Sequence, residues 1–296
     1  MTGINILVTG GHGQLAYDLI QASKLTGHQL VATSRHQLDI NNPDLIAEMF
    51  ALYQPNIVIN TAAYTAVDKA ETEVESAFKI NRDGPALLAD TCQTFGIPLI
   101  HISTDFVFDG NKGSPYLEAD TPSPLNVYGD SKLQGECEVR QCLDHHIILR
   151  VSGVYGIHGN NFVKTMLRLG KTRDALTVVS DQTTCPTPAQ DIANTLLKMA
   201  EKIHCGENHW GTYHYCGKEQ TTWHEFATTI FDIARKHIPL TVQQVDAIST
   251  EEYAAPAKRP LHPILNCDKI EKIFNIKQPS WQTSLPDFIK QVLKIR

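Results

Sequence analysis

The sequence predicts an α/β fold: a doubly wound parallel sheet with a smaller C-terminal domain partly interleaved with it. Three observations carry that prediction. Short, almost unbroken apolar runs alternate with longer amphipathic stretches through the first half of the chain. This is the pattern of parallel strands buried on both faces and joined by crossover helices. A glycine cluster, GGHG, falls between the first apolar run and the first amphipathic stretch. After about Gly153 the alternation loosens, and prolines, histidines and tryptophans become denser.

Ile4 to Thr9 reads as the first buried strand, and a helix follows the glycine turn from about Gln14 to Thr26. HQLVATS supplies the second strand. Asn41 or Asn42 then caps a helix from about Pro43 to Tyr53, with proline just inside, where a helix has no use for its missing N–H. PNIVINTAA is the third strand, and EVESAFKINRDGPALLADTCQTFG supplies a long helical stretch. IPLIHIST is the fourth strand, VYGDSKLQGECEVRQCL the next helix and HHIILRVS the fifth strand. Beyond them, helices are expected from Asp191 to Ile203 and from Thr222 to Lys236, between irregular connections. The expected division is a first domain over residues 1–153 and a second over 154–296, with a segment of about 187–218 returning to the first.

Composition narrows the function classes. With 42% hydrophobic and 20% charged residues the chain is an ordinary globular one. Its 32 acids against 26 bases give a net charge of −6, which argues against a nucleic-acid partner. No stretch approaches the roughly 20 apolar residues of a membrane span, so no membrane partner is expected. INILVTGG is too short, and lacks the basic flanks, to be a secretory leader. Seven cysteines without a C-x-x-C pair fit reduced thiols and a cytoplasmic protein.

The glycine cluster is the first candidate site. It reads Gly10-x-x-Gly13-x-x-Ala16, directly between strand and helix. Glycine lets the backbone turn sharply and approach a pyrophosphate, and a small residue at 16 lets the helix pack close to the sheet. The helix start, with Gln14 and Leu15, offers unpaired N–H groups and a partial positive charge to phosphate. A glycine turn by itself is also just a tight turn; its strand–turn–helix setting points to a Rossmann-type dinucleotide site. After the second strand, where an NAD site has an acid for the ribose hydroxyls, the chain reads Thr33-Ser34-Arg35. A hydroxyl and a guanidinium suit a 2′-phosphate, so NADPH is the expected cofactor, with NADH left open. Arg35 also fits a solvated surface position. Asp39 and Ile40 follow at the expected place of the adenine.

The second candidate site is SPLNVYGDSK, which holds Tyr128 and Lys132 four residues apart. Such a pair arises by chance, so its position carries the weight. It opens the helix after the fourth strand, and that strand ends in Ser103-Thr104-Asp105. Ligands of a parallel sheet bind beyond the carboxyl ends of its strands, and residues four apart share a helix face. A free tyrosine, with a pKa of about 10, exchanges protons poorly at neutral pH. A neighbouring ammonium is expected to lower that pKa, helped by the positive nicotinamide of an oxidised cofactor. Thr104 would donate a hydrogen bond to a carbonyl oxygen, Tyr128 would protonate it, and Lys132 would hold the phenol and the ribose.

With these residues in view, the chain resembles the extended short-chain dehydrogenase/reductase superfamily and, within it, the dTDP-4-dehydrorhamnose reductase family. The likeness covers nearly the whole chain. It includes Thr61-Ala62-Ala63-Tyr64-Thr65-Ala66-Val67-Asp68-Lys69-Ala70-Glu71 and Ser103-Thr104-Asp105-Phe106-Val107-Phe108. It continues through Gly159-Asn160-Asn161-Phe162-Val163-Lys164 and Thr222-Trp223-His224-Glu225. The resemblance implies reduction of the 4-keto group of a dTDP-activated deoxysugar by NADPH, in a cleft between two domains. It implies that Thr104, Tyr128 and Lys132 are the catalytic trio, with Ala62, Ala63 and Tyr64 along the cofactor. Thr65, Val67, Asp105 and Phe106 would meet the sugar side, and Asn161, Lys164 and Arg259 would hold the nucleotide or its phosphates. A homodimer is also compatible with it.

Three departures from the family pattern lie on the sugar side. Gly153 follows Arg150-Val151-Ser152 where the family usually carries tryptophan; Thr184 replaces a glycine in D-Q-x-G-x-P-T; and Pro263 replaces a serine in R-P-x-x-S. They leave the sugar's identity open. Some family members hold magnesium with acidic side chains at a dimer contact. Here Asp18 is kept but Gln190 stands where an acid would be, so no metal is expected. A dehydratase would need an acid where Phe106 stands. An epimerase, or a non-catalytic cofactor-binding subunit like the partner of methionine adenosyltransferase, is the alternative reading.

Overall fold

The computed structural model describes residues 3–294. Six parallel strands form the central sheet: β1 (Asn5–Thr9), β2 (Gln29–Thr33), β3 (Ile57–Asn60), β4 (Leu99–Thr104), β5 (His146–Val151) and an edge strand at Gly211–Tyr215. Their spatial order is edge strand, β5, β4, β3, β1, β2, and every pairing is parallel. The order reverses direction at β1. The crossover after β2 therefore leaves a crevice beyond the carboxyl ends of β1 and β3, the usual ligand position in such a sheet.

Alternation along the strands explains the two covered faces. Ile6 and Val8 on β1, Ile57 and Ile59 on β3, and Ile147 and Leu149 on β5 point to one side. There they meet helix α1 (Gln14–Ser23) and the helix Ala189–His204 through Ala16, Leu19, Ile192, Leu196 and Ala200. Leu7, Val58, Leu99 and Ile148 point to the other side, against Phe50 of α2 (Pro43–Tyr53) and Leu88 and Val139 of the following helices. Each fully buried side chain of this size contributes roughly 1.5–3 kcal/mol.

The expected elements occur with two differences. α1 ends at Ser23 rather than Thr26. The long stretch after Glu73 is helical without a break, but Val74–Phe78 passes through a π-helical turn, Lys79–Asp83, before Gly84–Phe95. The widened turn puts Asn81 into the interior, where its side chain bonds both main-chain groups of Tyr64 and the Ser131 hydroxyl. A Cβ on Gly135 of the facing helix would lie 1.9 Å from the Asn81 carbonyl oxygen, so glycine is required for that approach. α2 matches its expected bounds, and Asn42 Oδ1 accepts from the N–H groups of Asp44 and Leu45.

A separate core joins the helices Phe162–Gly170, Trp223–Arg235 and Trp281–Leu293 to a parallel pair, Ala175–Val179 with Gln244–Ile248. Between these segments the chain goes back to the main sheet, to supply the helix on α1 and the edge strand beside β5. No helix among the described residues is long and apolar enough to cross a membrane.

Candidate active site

Two connected hollows lie beyond the carboxyl ends of the strands. The smaller, about 280 Å³, is bordered by Gly10, Gly13, Arg35, Asp39, Ile40 and Ala62. The larger, about 760 Å³, runs past Gln14 and Leu15 to Thr104, Tyr128 and Lys132, and on to Trp223 and Arg259. His12, Gly13, Thr61 and Ala63 border both, so the two form one continuous cleft.

The glycine turn fits a dinucleotide. Gly10 has φ +74°, and a Cβ there would lie 2.8 Å from the backbone of Ala62. The turn therefore stays bare and narrow. Gly13 precedes α1 as its N-cap and has no side chain to cap it, which leaves first-turn N–H groups for a phosphate. Arg35 and Asp39 form an ion pair of 3.3 Å at the rim. Partial burial pushes the Asp39 carboxyl up, but hydrogen bonds from Asn41 and the Arg35 guanidinium outweigh it and hold the pKa low.

The catalytic candidates come from β4 and the helix Val127–Cys142. Asn126 caps that helix: its Oδ1 accepts from Gly129 N at 2.7 Å, and its Nδ2 donates to the Lys258 carbonyl at 2.7 Å. Tyr128 thus sits in the first turn, with its ring edge-on to Phe106 at 5.7 Å. Thr104 ends β4 and donates from Oγ1 to Asp105 Oδ1 at 2.9 Å. Ser152 Oγ donates to the other oxygen of Asp105 at 2.6 Å. Burial lifts Asp105 to about 6 against those hydrogen bonds.

The electrostatics of Tyr128 differ from the expectation of a phenol acidified by its lysine. Burial, reinforced by the nearby Asp105 charge, pushes it up to about 12, and the hydrogen bond with Thr104 only moderates this. Lys132 is 2% exposed, and its Nζ donates to the Ile102 carbonyl at 2.7 Å and lies 3.3 Å from His101 Nε2. Burial lowers its own pKa to about 8, despite the opposing charge of Glu136. A phenol that keeps its proton at neutral pH is the form a proton donor needs.

A family model described as the RmlD substrate binding domain matches residues 4–294. A protein of Aggregatibacter actinomycetemcomitans named dTDP-4-dehydrorhamnose reductase is 43% identical over 284 residues, covering 95% of this chain and 96% of its own. The chain belongs to the dTDP-4-dehydrorhamnose reductase family. A member from Clostridium acetobutylicum has a crystal structure that matches at a TM-score of 0.90 and 38% identity, over 97% of this chain and 99% of that one. A member from Bacillus anthracis, solved in complex with NADP, matches at 0.90 and 36% identity, over 98% and 99%.

Most of the residues singled out in the sequence face this cleft. Gly10, Gly13, Gln14, Leu15, Arg35, Asp39, Ile40, Ala62 and Ala63 border the cofactor side. Thr65, Val67, Thr104, Asp105, Phe106, Tyr128, Lys132 and Arg259 border the rest. Arg259 also pairs with Asp68 at 2.9 Å.

Four others do not. Ser34 turns its hydroxyl to Gln37, and Tyr64 donates from its hydroxyl to Glu73. Asn161 is a helix cap whose amide bonds Gln14 and the Gly156 carbonyl. Lys164 donates to the carbonyls of Ile157 and Gly159. Asn161 and Lys164 therefore shape the 156–161 loop beside the cleft, and their polar groups are already taken up by the chain.

His12, Gln182, Phe162 and Trp223 border the cleft without having been singled out. All four lie inside stretches that the sequence marks, though not as individual residues: His12 in the glycine cluster, Phe162 and Trp223 in family-like segments, and Gln182 in the D-Q-x-G-x-P-T stretch. Gly153, Thr184 and Pro263, the three departures, border the cleft together. Gly153 has φ +56°, and a Cβ there would lie 2.7 Å from Thr184 Oγ1 and 2.9 Å from the Cys185 carbonyl oxygen. The threonine thus occupies the space next to the glycine, and a larger residue at 153 has no room. Among the described residues no cluster of three His, Cys, Asp or Glu side chains is placed to hold a metal ion.

Proposed function

We propose that this chain is an NADPH-dependent reductase that converts dTDP-4-dehydro-L-rhamnose, or a closely similar dTDP-4-keto-deoxysugar, to the 4-hydroxy sugar. The observation that carries the reading is the meeting of Thr104, Tyr128 and Lys132 in one cleft continuous with the bare glycine turn. Gly10, Gly13 and the start of α1 would hold the pyrophosphate, Arg35 the 2′-phosphate, and Ala62 and Ala63 the length of the cofactor. A bound NADPH supplies the two-electron reducing equivalent. Thr104 turns its single hydroxyl hydrogen from Asp105 Oδ1 to the C4 oxygen and so orients the ketone, and the Tyr128 hydroxyl gives its proton to that oxygen as negative charge develops there. Lys132, one helical turn after Tyr128 and bordering the same cleft, supplies a cation there that suits the ribose hydroxyls of the cofactor. Arg259 at the far end suits the diphosphate.

The same reading assigns residues 1–153, with about 187–218, to the cofactor-binding body and the remainder to the sugar-binding body. Support comes from the packing of Ala189–His204 on α1 and the pairing of Gly211–Tyr215 with β5. It places the protein in the cytoplasm, where its seven free thiols stay reduced.

The test is oxidation of NADPH by the purified protein on addition of dTDP-4-dehydro-L-rhamnose. Turnover is expected. Cofactor binding without turnover would instead favour a regulatory subunit, and tightly held NAD released on denaturation an epimerase.

A further inference from the structure

A line of buried polar side chains runs beneath the active site from β1 to Lys132. Thr9 Oγ1 donates to Asn60 Oδ1 at 2.6 Å, Asn60 Nδ2 lies 3.0 Å from His101 Nδ1, and His101 Nε2 lies 3.3 Å from Lys132 Nζ. Thr9, Asn60 and His101 are all buried. One member of the line cannot reverse its polarity. The backbone N–H of Ala62 donates to Asn60 Oδ1 at 3.1 Å, and a backbone N–H is only ever a donor. The oxygen of Asn60 therefore faces Ala62 and Thr9, and its NH₂ faces His101. His101 Nδ1 must accept. Burial first, and then the charge of Lys132, push His101 well below its ordinary pKa, so the ring is neutral with a single N–H. That N–H is on Nε2, aimed at Lys132.

An ammonium has three donors and no acceptor, so it cannot pair with this N–H. A neutral amine can: its lone pair accepts from Nε2–H while one of its own hydrogens goes to the Ile102 carbonyl. We propose that His101 is a positioning residue of the reduction, a donor that fits Lys132 only once the lysine has released a proton, and so favours proton release from Lys132 during turnover.

This rests on the reductase reading. The Tyr128 O–H bond breaks as the sugar O–H bond forms. The tyrosinate regains its proton from the cleft; when Lys132 Nζ gives up a proton to the cleft, the remaining amine accepts from His101 until a proton from solvent restores the ammonium. The proton does not arrive through His101, because its Nδ1 is an acceptor held by Asn60 and the line ends there. Of the charges around the pair, Glu136 favours the ammonium, but Arg140 and Arg150 hold its carboxylate. Arg140 and the His146 ring on β5 act on His101 in the same direction as Lys132. With Lys132 drawn down to about 8, both of its forms are reachable near neutral pH.

The direct test is the ¹⁵N spectrum of histidine side chains in the native protein at neutral pH, with His101 assigned by the signals lost in His101→Gln. A neutral ring protonated on Nε2 is expected; an Nδ1–H tautomer or an imidazolium overturns the proposal. The kinetic test uses two variants. A glutamine amide can accept from Asn60 and donate to Lys132, so His101→Gln should keep kcat within about threefold. His101→Leu should lose about tenfold or more in kcat, the scale of one neutral hydrogen bond, with the sugar KM unchanged. Equal losses in both variants would overturn the proposal, and if the leucine variant does not fold the tautomer decides alone. A wild-type protein that reduces no sugar takes down the reductase reading and the proposal with it, whereas reduction with the wrong tautomer takes down only the proposal.

Discussion

Replacing Gly153 by alanine tests the sugar wall of the cleft. Two effects act at once. The backbone sits at φ +56°, in the left-handed region, which costs a non-glycine residue roughly 1–2 kcal/mol. The new Cβ would also lie 2.7 Å from Thr184 Oγ1 and 2.9 Å from the Cys185 carbonyl oxygen, and such overpacking typically costs about 1–3 kcal/mol. A loss of about 3 kcal/mol is therefore expected. For 296 residues the unfolding entropy is on the order of 0.6 kcal/mol/K, so the Tm should fall by about 5 °C. Scanning calorimetry or a thermal-shift series gives the readout. Adding Thr184→Gly removes one of the two clashes but neither the backbone strain nor the contact with the Cys185 carbonyl. The double variant should therefore lie closer to the Thr184→Gly single variant than Gly153→Ala lies to wild type. An alanine variant as stable as wild type, or two substitutions whose effects simply add, would refute the coupling of these positions.

Tyr128→Phe removes the proton donor and is expected to lower kcat by roughly 10²–10⁴ while leaving the NADPH dissociation constant nearly unchanged; a phenylalanine variant with ordinary turnover would show that another group delivers the proton. Arg35→Ala should raise the KM for NADPH about tenfold or more and leave that for NADH alone, the scale of a charge-assisted hydrogen bond; equal effects on both cofactors would mean that Arg35 does not meet the 2′-phosphate. For Asp105, the folded pKa of about 6 lies above the ordinary 3.8, so between these values the folded state keeps a proton that the unfolded state has lost. Stability from this group is therefore lost as pH rises from about 4 to about 6, by up to roughly 3 kcal/mol. Asp105→Asn should remove that part of the slope, and chemical denaturation of both proteins across the window checks it; parallel curves would place the Asp105 carboxyl at its ordinary pKa.

Much of the cofactor side was legible along the chain because its features are local. A strand, a glycine turn and a helix start are consecutive residues, and Gly10 and Gly13 hold that geometry within one short segment. Tyr128 and Lys132 were legible for the same reason, since four residues are one helical turn. The widened turn at Lys79–Asp83 was not legible. It depends on Gly135, more than fifty positions away, allowing Asn81 to approach. Asn161 and Lys164 looked like free ligands in the sequence because nothing local shows that Gln14 and the carbonyls of the 156–161 loop already take up their polar atoms.

By itself, the order of residues determined the parallel sheet, the bare turn for a dinucleotide and the pairing of a phenol with an amine. These follow from hydrophobic period, glycine's backbone freedom and the pitch of a helix, all short-range. Only the folded chain decided which charges Tyr128 and Lys132 feel. Protonation depends on burial and on groups within a few ångströms in space, and His101 on β4, its ring held by Asn60 on β3, reaches Lys132 from parts of the chain that the sequence keeps far apart.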